Sequence, residues 1–389
     1  MRLATGASGM RYRGRDDVLL AVFDPGTTVA GVFTRSSTAG APVLWCRKAL
    51  AGGAARAFVV NAGNANTFTG RAGMTAVRAT AEAAAAALGC SAARVFVAST
   101  GVIGQPLEFD RITALVPGLA AAARPEAWGA AAAAIMTTDT FPKLATRVAA
   151  IDGRPVVVNG IAKGSGMIAP DMATLIAFVA TDARLSADVV QACLARACVR
   201  SFNRTTVDSD TSTSDTLLAV ATGTAGNRAV ARAADRRLAG FRAALEAVCL
   251  DLALQVVRDG EGAQKLIEVT VSGARGTAQA RRVALAIANS PLVKTAIAGA
   301  DANWGRVVMA AGKADATLDQ RRMSVCIGGH FVALRGGPPV GYDETPVTAH
   351  MKGREIAVEV DLGLGRGTAT VWTCDLTHGY IDINAAYRS

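Results

Sequence analysis

Apolar runs punctuated by turn residues organise the first half of the chain. Val18–Phe23 reads as a buried strand closed by the turn signal Asp24-Pro25-Gly26; Val29–Phe33 follows as a second strand, which predicts a hairpin. Ala57–Val60 leads into a small polar loop, Asn61–Asn66, at a strand end. The alanine-rich stretch Gly73–Leu88 predicts a helix ended by Gly89. Val95–Ser99 predicts a short strand running into Thr100-Gly101, and alanine-rich helical segments cover Leu119–Met136. Val156–Val158 and Leu175–Ala180 predict strands on either side of a glycine-rich loop. Helices are expected over Ser186–Arg200 and Val230–Asp259, the second broken near Ala239-Gly240.

After Gln264 the texture changes: strand-like pieces (Ile267–Val271, Val283–Ile287, Met323–Cys326, Ile356–Val360) alternate with glycine turns. A main domain over residues 1–275 and a smaller one over 276–389 are therefore expected, in keeping with a 389-residue length that exceeds one ordinary domain. Strands interleaved with helices exclude an all-α or all-β class. Hairpin signals argue against a simple doubly wound sheet, and no repeat or low-complexity linker interrupts the pattern.

Composition narrows the function classes. Hydrophobic residues make up 51% of the chain but aromatics only 5%, so the core must be built from Ala, Val, Leu and Ile. No apolar run is long enough to predict a membrane span. The arginine-bearing segment Met1–Asp17 is followed by no export-signal pattern. Seven scattered cysteines without CxxC pairs suit thiols buried in a reducing, cytoplasmic compartment. His330, His350 and His378 lack ligand-type neighbours, so no metal is expected. The net charge of +10 rests mainly on arginine; the basic residues form no stripe with interleaved aromatics, so no nucleic-acid partner is expected. Lysine is scarce, which gives a lysine inside the glycine-rich loop more weight.

That loop runs from Asn159 to Thr174 (NGIAKGSGMIAPDMAT), and three chemistries could use it. Gly164–Ala169 formally matches a dinucleotide-binding fingerprint, but Pro170 and a strand-like run follow where a helix should open. Ser165 could be a nucleophile, although Lys163 occupies the position where a nucleophile elbow has glycine. Thr174 could be the nucleophile if the Ala173–Thr174 bond were cut. Its own α-amine, with a reference pKa of about 7.7–8.0, could then act as general base without a histidine. Thr174 is also simply a good residue to begin a strand. The residues alone leave these readings open.

The stretch Ala162–Leu175 resembles the self-processing segment of the ornithine acetyltransferase (glutamate N-acetyltransferase) family of arginine biosynthesis. Ala30–Phe33, Asn61–Asn66, Ser99–Gly104, Thr137–Lys143, Ser201–Thr216 (SFNRTTVDSDTSTSDT), Gly260–Lys265, Ser290–Arg306 and Tyr380–Tyr387 (YIDINAAY) resemble family motifs in the same order. They span nearly the whole chain.

The resemblance implies stacked αββα layers of the N-terminal-nucleophile type with a smaller C-terminal α/β domain. It implies self-cleavage between Ala173 and Thr174 into chains of residues 1–173 and 174–389, assembled as an α2β2 heterotetramer. Thr174 would be the nucleophile, Thr100 and Gly101 the oxyanion hole, and Thr140, Lys163, Thr174, Glu261, Asn384 and Ser389 the substrate-binding residues. Lys163 would neutralise a substrate carboxylate and Glu261 would pair with the ornithine ammonium. The implied reaction moves acetyl from N2-acetylornithine to glutamate with no cofactor, acetyl-CoA being a candidate co-substrate. Asp171 and Gln264 depart from the usual Asn and Thr of the family, which bears on substrate preference. A related amidase or aminopeptidase, in which water accepts the acyl group, a paralogous acetyltransferase of secondary metabolism, and a non-enzymatic anion-binding protein are the rival expectations.

Overall fold

The computed structural model describes residues 1–169, 175–315 and 317–385. Contacts divide the chain into two compact units, one of residues 1–203 and 210–256, the other of 204–209 and 257–389.

The strands of the first unit are β1 (Arg2–Gly6), β2 (Val18–Val22), β3 (Thr28–Phe33), β4 (Ala57–Asn64), β5 (Val95–Val102), β6 (Lys143–Ile151), β7 (Arg154–Lys163), β8 (Ile176–Thr181) and β9 (Thr216–Ala221). They form two sheets, ordered β1-β2-β4-β5 and β3-β9-β8-β7-β6. Its helices are α1 (Ala41–Ala49), α2 (Gly70–Leu88), α3 (Phe109–Ala122), α4 (Trp128–Ala134), α5 (Ala187–Arg200) and α6 (Ala239–Arg258), the last running on into the second unit. The inner faces of the sheets meet in one core, where Leu19, Phe23, Phe58 and Phe96 pack with Ile161, Ile176, Phe178 and Leu218. The outer face of the first sheet, with Val18, Leu20, Val59 and Val97, is covered by Val77, Ala81 and Ala84 of α2 and Ile112 and Val116 of α3. On the far side of the second sheet a Cβ at Gly160 would lie 2.8 Å from Leu252 and 2.9 Å from Val248, so α6 rests directly on β7. The layers are therefore α, β, β, α. This burial of both faces explains why β2, β8 and β9 are buried at every position and, apart from Thr181 and Thr216 at strand ends, apolar instead of alternating.

Local signals set several ends. Gly89 caps α2 at φ +60°, and the Ser186 side chain accepts the Val189 amide at the start of α5. The expected hairpin of β2 and β3 does not form. Its turn exists (Thr27 N donates to Asp24 O, 3.2 Å), but it carries the chain from one sheet to the other, and β3 pairs antiparallel with β9. Residues 230–238 are not α-helical; α6 starts at Ala239, where the break was expected.

The second unit holds β10 (Leu266–Ala274), β11 (Ser324–Ile327), β12 (His330–Ala333), β13 (Glu355–Asp361) and β14 (Gly367–Cys374) in the order β12-β11-β13-β10-β14. Helices α7 (Thr277–Ala288), α8 (Pro291–Ala298), α9 (Trp304–Gly312), α10 (Thr345–Met351) and α11 (His378–Ala385) complete it. Two expectations need correction. Val283–Ile287 is helical, because Ala280, Val283, Ala284, Ile287 and Ala288 are buried at helical spacing along α7. The second unit resumes at Val257, not at 276, because β10 pairs parallel with β13 and antiparallel with β14 and so belongs to that unit's own sheet.

Candidate active site

At the end of the first sheet, β4 and β5 run parallel with Asn61 beside Ser99, Ala62 beside Thr100 and Gly63 beside Gly101. The Ser99 hydroxyl donates to Asn61 Oδ1 (2.6 Å), and Asn61 Nδ2 donates to the Asn64 carbonyl (2.9 Å); Asn61–Asn64, expected as loop, continue β4 and are tied to β5 beside it. Gly101 has φ +130°, and a Cβ there would sit 2.2 Å from the Gly63 carbonyl carbon. Only glycine permits both that torsion and that approach.

Lys163 is the last residue of β7, not part of a loop: pairing with β8 carries on to the Lys163–Ile176 register. Its ammonium is buried and donates to Thr100 Oγ1 (3.3 Å), with Asp139 Oδ2 at 4.0 Å. Asp139 is the hub of this cluster. Its Oδ1 accepts from Lys143 Nζ (2.7 Å) and from Gly164 N (2.6 Å), and its Oδ2 accepts from Thr137 N (2.9 Å). Burial alone would raise the Asp139 carboxyl, but the Lys163 and Lys143 charges and these hydrogen bonds outweigh it and bring it down to about 2. Two fully buried side chains, Asp139 and Lys143, thus form an ion pair beneath Lys163. Ser165, the alternative nucleophile, is buried and shares a 2.6 Å hydrogen bond with Thr138. Thr140 is exposed next to Asp139.

Ala173 and Thr174, with Asp171, lie outside the described residues, as does Ser389. The chain is described again from Leu175. Its amide donates to Asp215 Oδ1 (2.8 Å) and its carbonyl accepts from Thr216 N (2.9 Å), so both of its backbone groups are held.

In the second unit Glu261 and Asn384 are brought together. Glu261 is mostly buried, and its Oε2 accepts from Asn384 Nδ2 (2.7 Å), which also donates to the Tyr380 carbonyl (3.0 Å). Asn384 lies on α11. The turn bearing Glu261 sits against the start of that helix: Thr377 Oγ1 donates to Gly262 O (2.6 Å), and a Cβ at Gly262 (φ +71°) would lie 2.4 Å from Tyr380 N.

Asp139, Lys143 and Asp215 were not singled out from the sequence, although the segments Thr137–Lys143 and Ser201–Thr216 contain them. The available signal was lysine scarcity, since Lys143 and Lys163 are two of very few. Among the described residues no cluster of three His, Cys, Asp or Glu could hold a metal ion, and no helix is long and apolar enough to cross a membrane.

Comparison with known proteins gives a consistent picture. Residues 2–389 match the ArgJ family. The chain is 59% identical over 389 residues to the arginine biosynthesis bifunctional protein ArgJ of Gluconobacter oxydans, covering 100% of this chain and 92% of that protein. It is 57% identical over 392 residues to the protein of the same name from Rhizobium meliloti, covering 100% and 95%. Among solved structures, the arginine biosynthesis bifunctional protein argJ of Bacillus halodurans is 42% identical, with a TM-score of 0.52 over 54% of this chain and 98% of that one.

Proposed function

The chain belongs to the ArgJ family, and from that premise we propose that it is an acetyltransferase of arginine biosynthesis that moves acetyl from N2-acetylornithine to glutamate through an ester on Thr174. The observation that carries this reading is the Lys163 cluster. Lys163 stands opposite Ile176 in the β7–β8 register, two residues beyond Thr174 in sequence, and its ammonium touches the Thr100 hydroxyl. A buried cation at the end of β7 thereby meets a hydroxyl of β5, next to the Gly101 backbone.

Maturation begins with Thr174 Oγ attacking the Ala173 carbonyl carbon. The acyl group passes from nitrogen to oxygen, the Thr174 nitrogen takes up a proton as the C–N bond breaks, and water hydrolyses the ester. The freed α-amine then deprotonates Thr174 Oγ, which attacks the acetyl carbonyl of acetylornithine. Thr100 and Gly101 stabilise the oxyanion, a donor of this kind being worth about 2.7–4 kcal/mol. Ornithine leaves after taking a proton from the ammonium, and the glutamate α-amine attacks the acetyl-threonine ester to regenerate the enzyme. Lys163 binds a substrate carboxylate, Glu261 with Asn384 holds the ornithine ammonium, and Thr140 and Ser389 complete the substrate contacts. The 173- and 216-residue chains (389 − 173 = 216) assemble as α2β2, and acetyl-CoA serves as an alternative donor in line with the bifunctional names of the relatives.

The test is incubation with acetylornithine in the presence and absence of glutamate. The reading predicts acetylglutamate formation that depends on glutamate, with little free acetate. Release of acetate at the same rate with or without glutamate contradicts it and assigns a hydrolase instead.

A further inference from the structure

Leu175 is the first described residue after the proposed cleavage point, and its backbone is fixed from both sides by neighbouring residues of one segment. Thr216 N donates to its carbonyl in the ladder between β8 and β9. Its amide has no ladder partner; it donates instead to a side chain, Asp215 Oδ1, at 2.8 Å. Asp215 is completely buried, and its other oxygen, Oδ2, accepts no hydrogen bond among the described residues. The nearby Thr34 hydroxyl is committed elsewhere, donating to the Ser212 carbonyl (2.6 Å), while Thr34 N donates to the Asp215 carbonyl (3.1 Å). A fully buried acid with one oxygen unpartnered among the described residues is costly to keep unless it does something for the chain.

Resting on the self-cleavage reading, we infer that Asp215 is a positioning residue for Thr174: its carboxyl grips the Leu175 amide and so holds the backbone of the adjoining residue in place through cleavage and transfer. The need for such a grip follows from the proposed chemistry. Once the Ala173–Thr174 bond is broken, residue 174 is a chain terminus, and its only covalent tether is the peptide bond to Leu175. A nucleophile displaced by even an ångström loses much of its rate. A strand ladder cannot hold the Leu175 amide, so the side chain that accepts it decides how firmly that tether is anchored.

Burial pushes the Asp215 carboxyl well above the usual carboxylate range, and the Leu175 hydrogen bond and the Lys163 charge only partly offset this. A carboxamide of the same shape offers the same acceptor to Leu175, whereas an apolar side chain offers none. The pair Asp215→Asn and Asp215→Leu therefore separates the grip from the volume it occupies.

The experiment follows self-cleavage of freshly made full-length chain by intact mass, alongside thermal melting and deuterium exchange of the Leu175 amide. Asp215→Asn is expected to cleave within about threefold of the wild-type rate and to keep that amide protected. Asp215→Leu is expected to cleave at least a hundredfold more slowly, with fast exchange at Leu175 and a melting transition showing a folded protein. Asp215→Leu cleaving at the wild-type rate overturns the inference. So does a folded Asp215→Asn slowed more than tenfold, and this arm decides the matter if Asp215→Leu does not fold. Thr174→Ala run in parallel keeps the two readings apart. If it is cut or still transfers acetyl, the self-cleavage reading itself falls; if it is uncut and inactive while Asp215→Leu matures normally, only the role of Asp215 falls.

Discussion

Replacing Asp139 by asparagine tests whether the buried charge cluster under Lys163 is energetically what its geometry suggests. The amide keeps oxygen and shape, so Gly164 N and Lys143 Nζ retain an acceptor at 2.6 and 2.7 Å, but the negative charge is gone. Lys143 is fully buried and Lys163 nearly so, and both ammonium groups lose the Asp139 charge beside them. Removing one partner of a buried pair costs about 3–5 kcal/mol. Part of that cost depends on pH. The Asp139 carboxyl drops from 3.8 to about 2 on folding, despite burial, because the two lysines favour its charged form. At 1.36 kcal/mol per unit, this is about 2 kcal/mol. Because the folded value is the lower one, this stability is present above the unfolded value near 3.8 and disappears as pH falls through about 2. The assay is urea unfolding of wild type and Asp139→Asn from pH 7 to pH 2. Groups remote from this cluster titrate alike in both proteins, so the difference at acid pH reports residue 139 and the charges coupled to it. Wild type should be the more stable at pH 7, and the gap should narrow by about 2 kcal/mol between pH 5 and pH 2. A gap that is absent at pH 7, or constant with pH, refutes the ion-pair argument.

Further predictions follow from single contacts. Gly101→Ala places a Cβ 2.2 Å from the Gly63 carbonyl carbon at φ +130°, so it should destabilise the fold by at least ~1–3 kcal/mol, seen as a lower melting temperature, and slow acetyl transfer as well. Lys294→Met removes a buried ammonium that donates to Val207 O (2.7 Å), Thr373 Oγ1 (2.8 Å) and Cys374 O (2.5 Å). Stranding those acceptors should cost about 3 kcal/mol or more in urea unfolding, since each unsatisfied buried group costs ~1–3 kcal/mol. Glu261→Gln, which keeps an oxygen for Asn384, should raise KM for acetylornithine roughly tenfold or more while leaving KM for glutamate nearly unchanged, a hydrogen bond to a charged group being worth ~1.5–3 kcal/mol.

The sequence and the structure part company where structure depends on distant partners. The apolar run of β2, the caps of α2 and α5 and the four-layer class with its glycine-bearing strand ends were all readable locally or by likeness. The β2–β3 pairing was not, because a turn at Asp24–Thr27 says that the chain reverses but not which strand it meets. α7 was misread since Val283–Ile287 is too short an apolar run to tell strand from helix; the burial of Ala280 and Ala288 settles it. Residues 159–163 looked like loop because of Gly160, whereas that glycine lets α6 approach β7. Asp139 and Asp215 are ordinary acids in sequence. Their chemistry comes from burial, from Lys143 and Lys163 in one case and from the Leu175 amide in the other, and none of this is written in neighbouring residues.

The central claim is that Thr174 becomes a chain terminus before it can transfer acetyl. Intact mass spectrometry of the purified protein beside Thr174→Ala measures this directly. The account predicts fragments of residues 1–173 and 174–389 for the former, and one uncut, inactive chain for the variant. A wild-type protein that exchanges acetyl at full rate while remaining one covalent chain would contradict it.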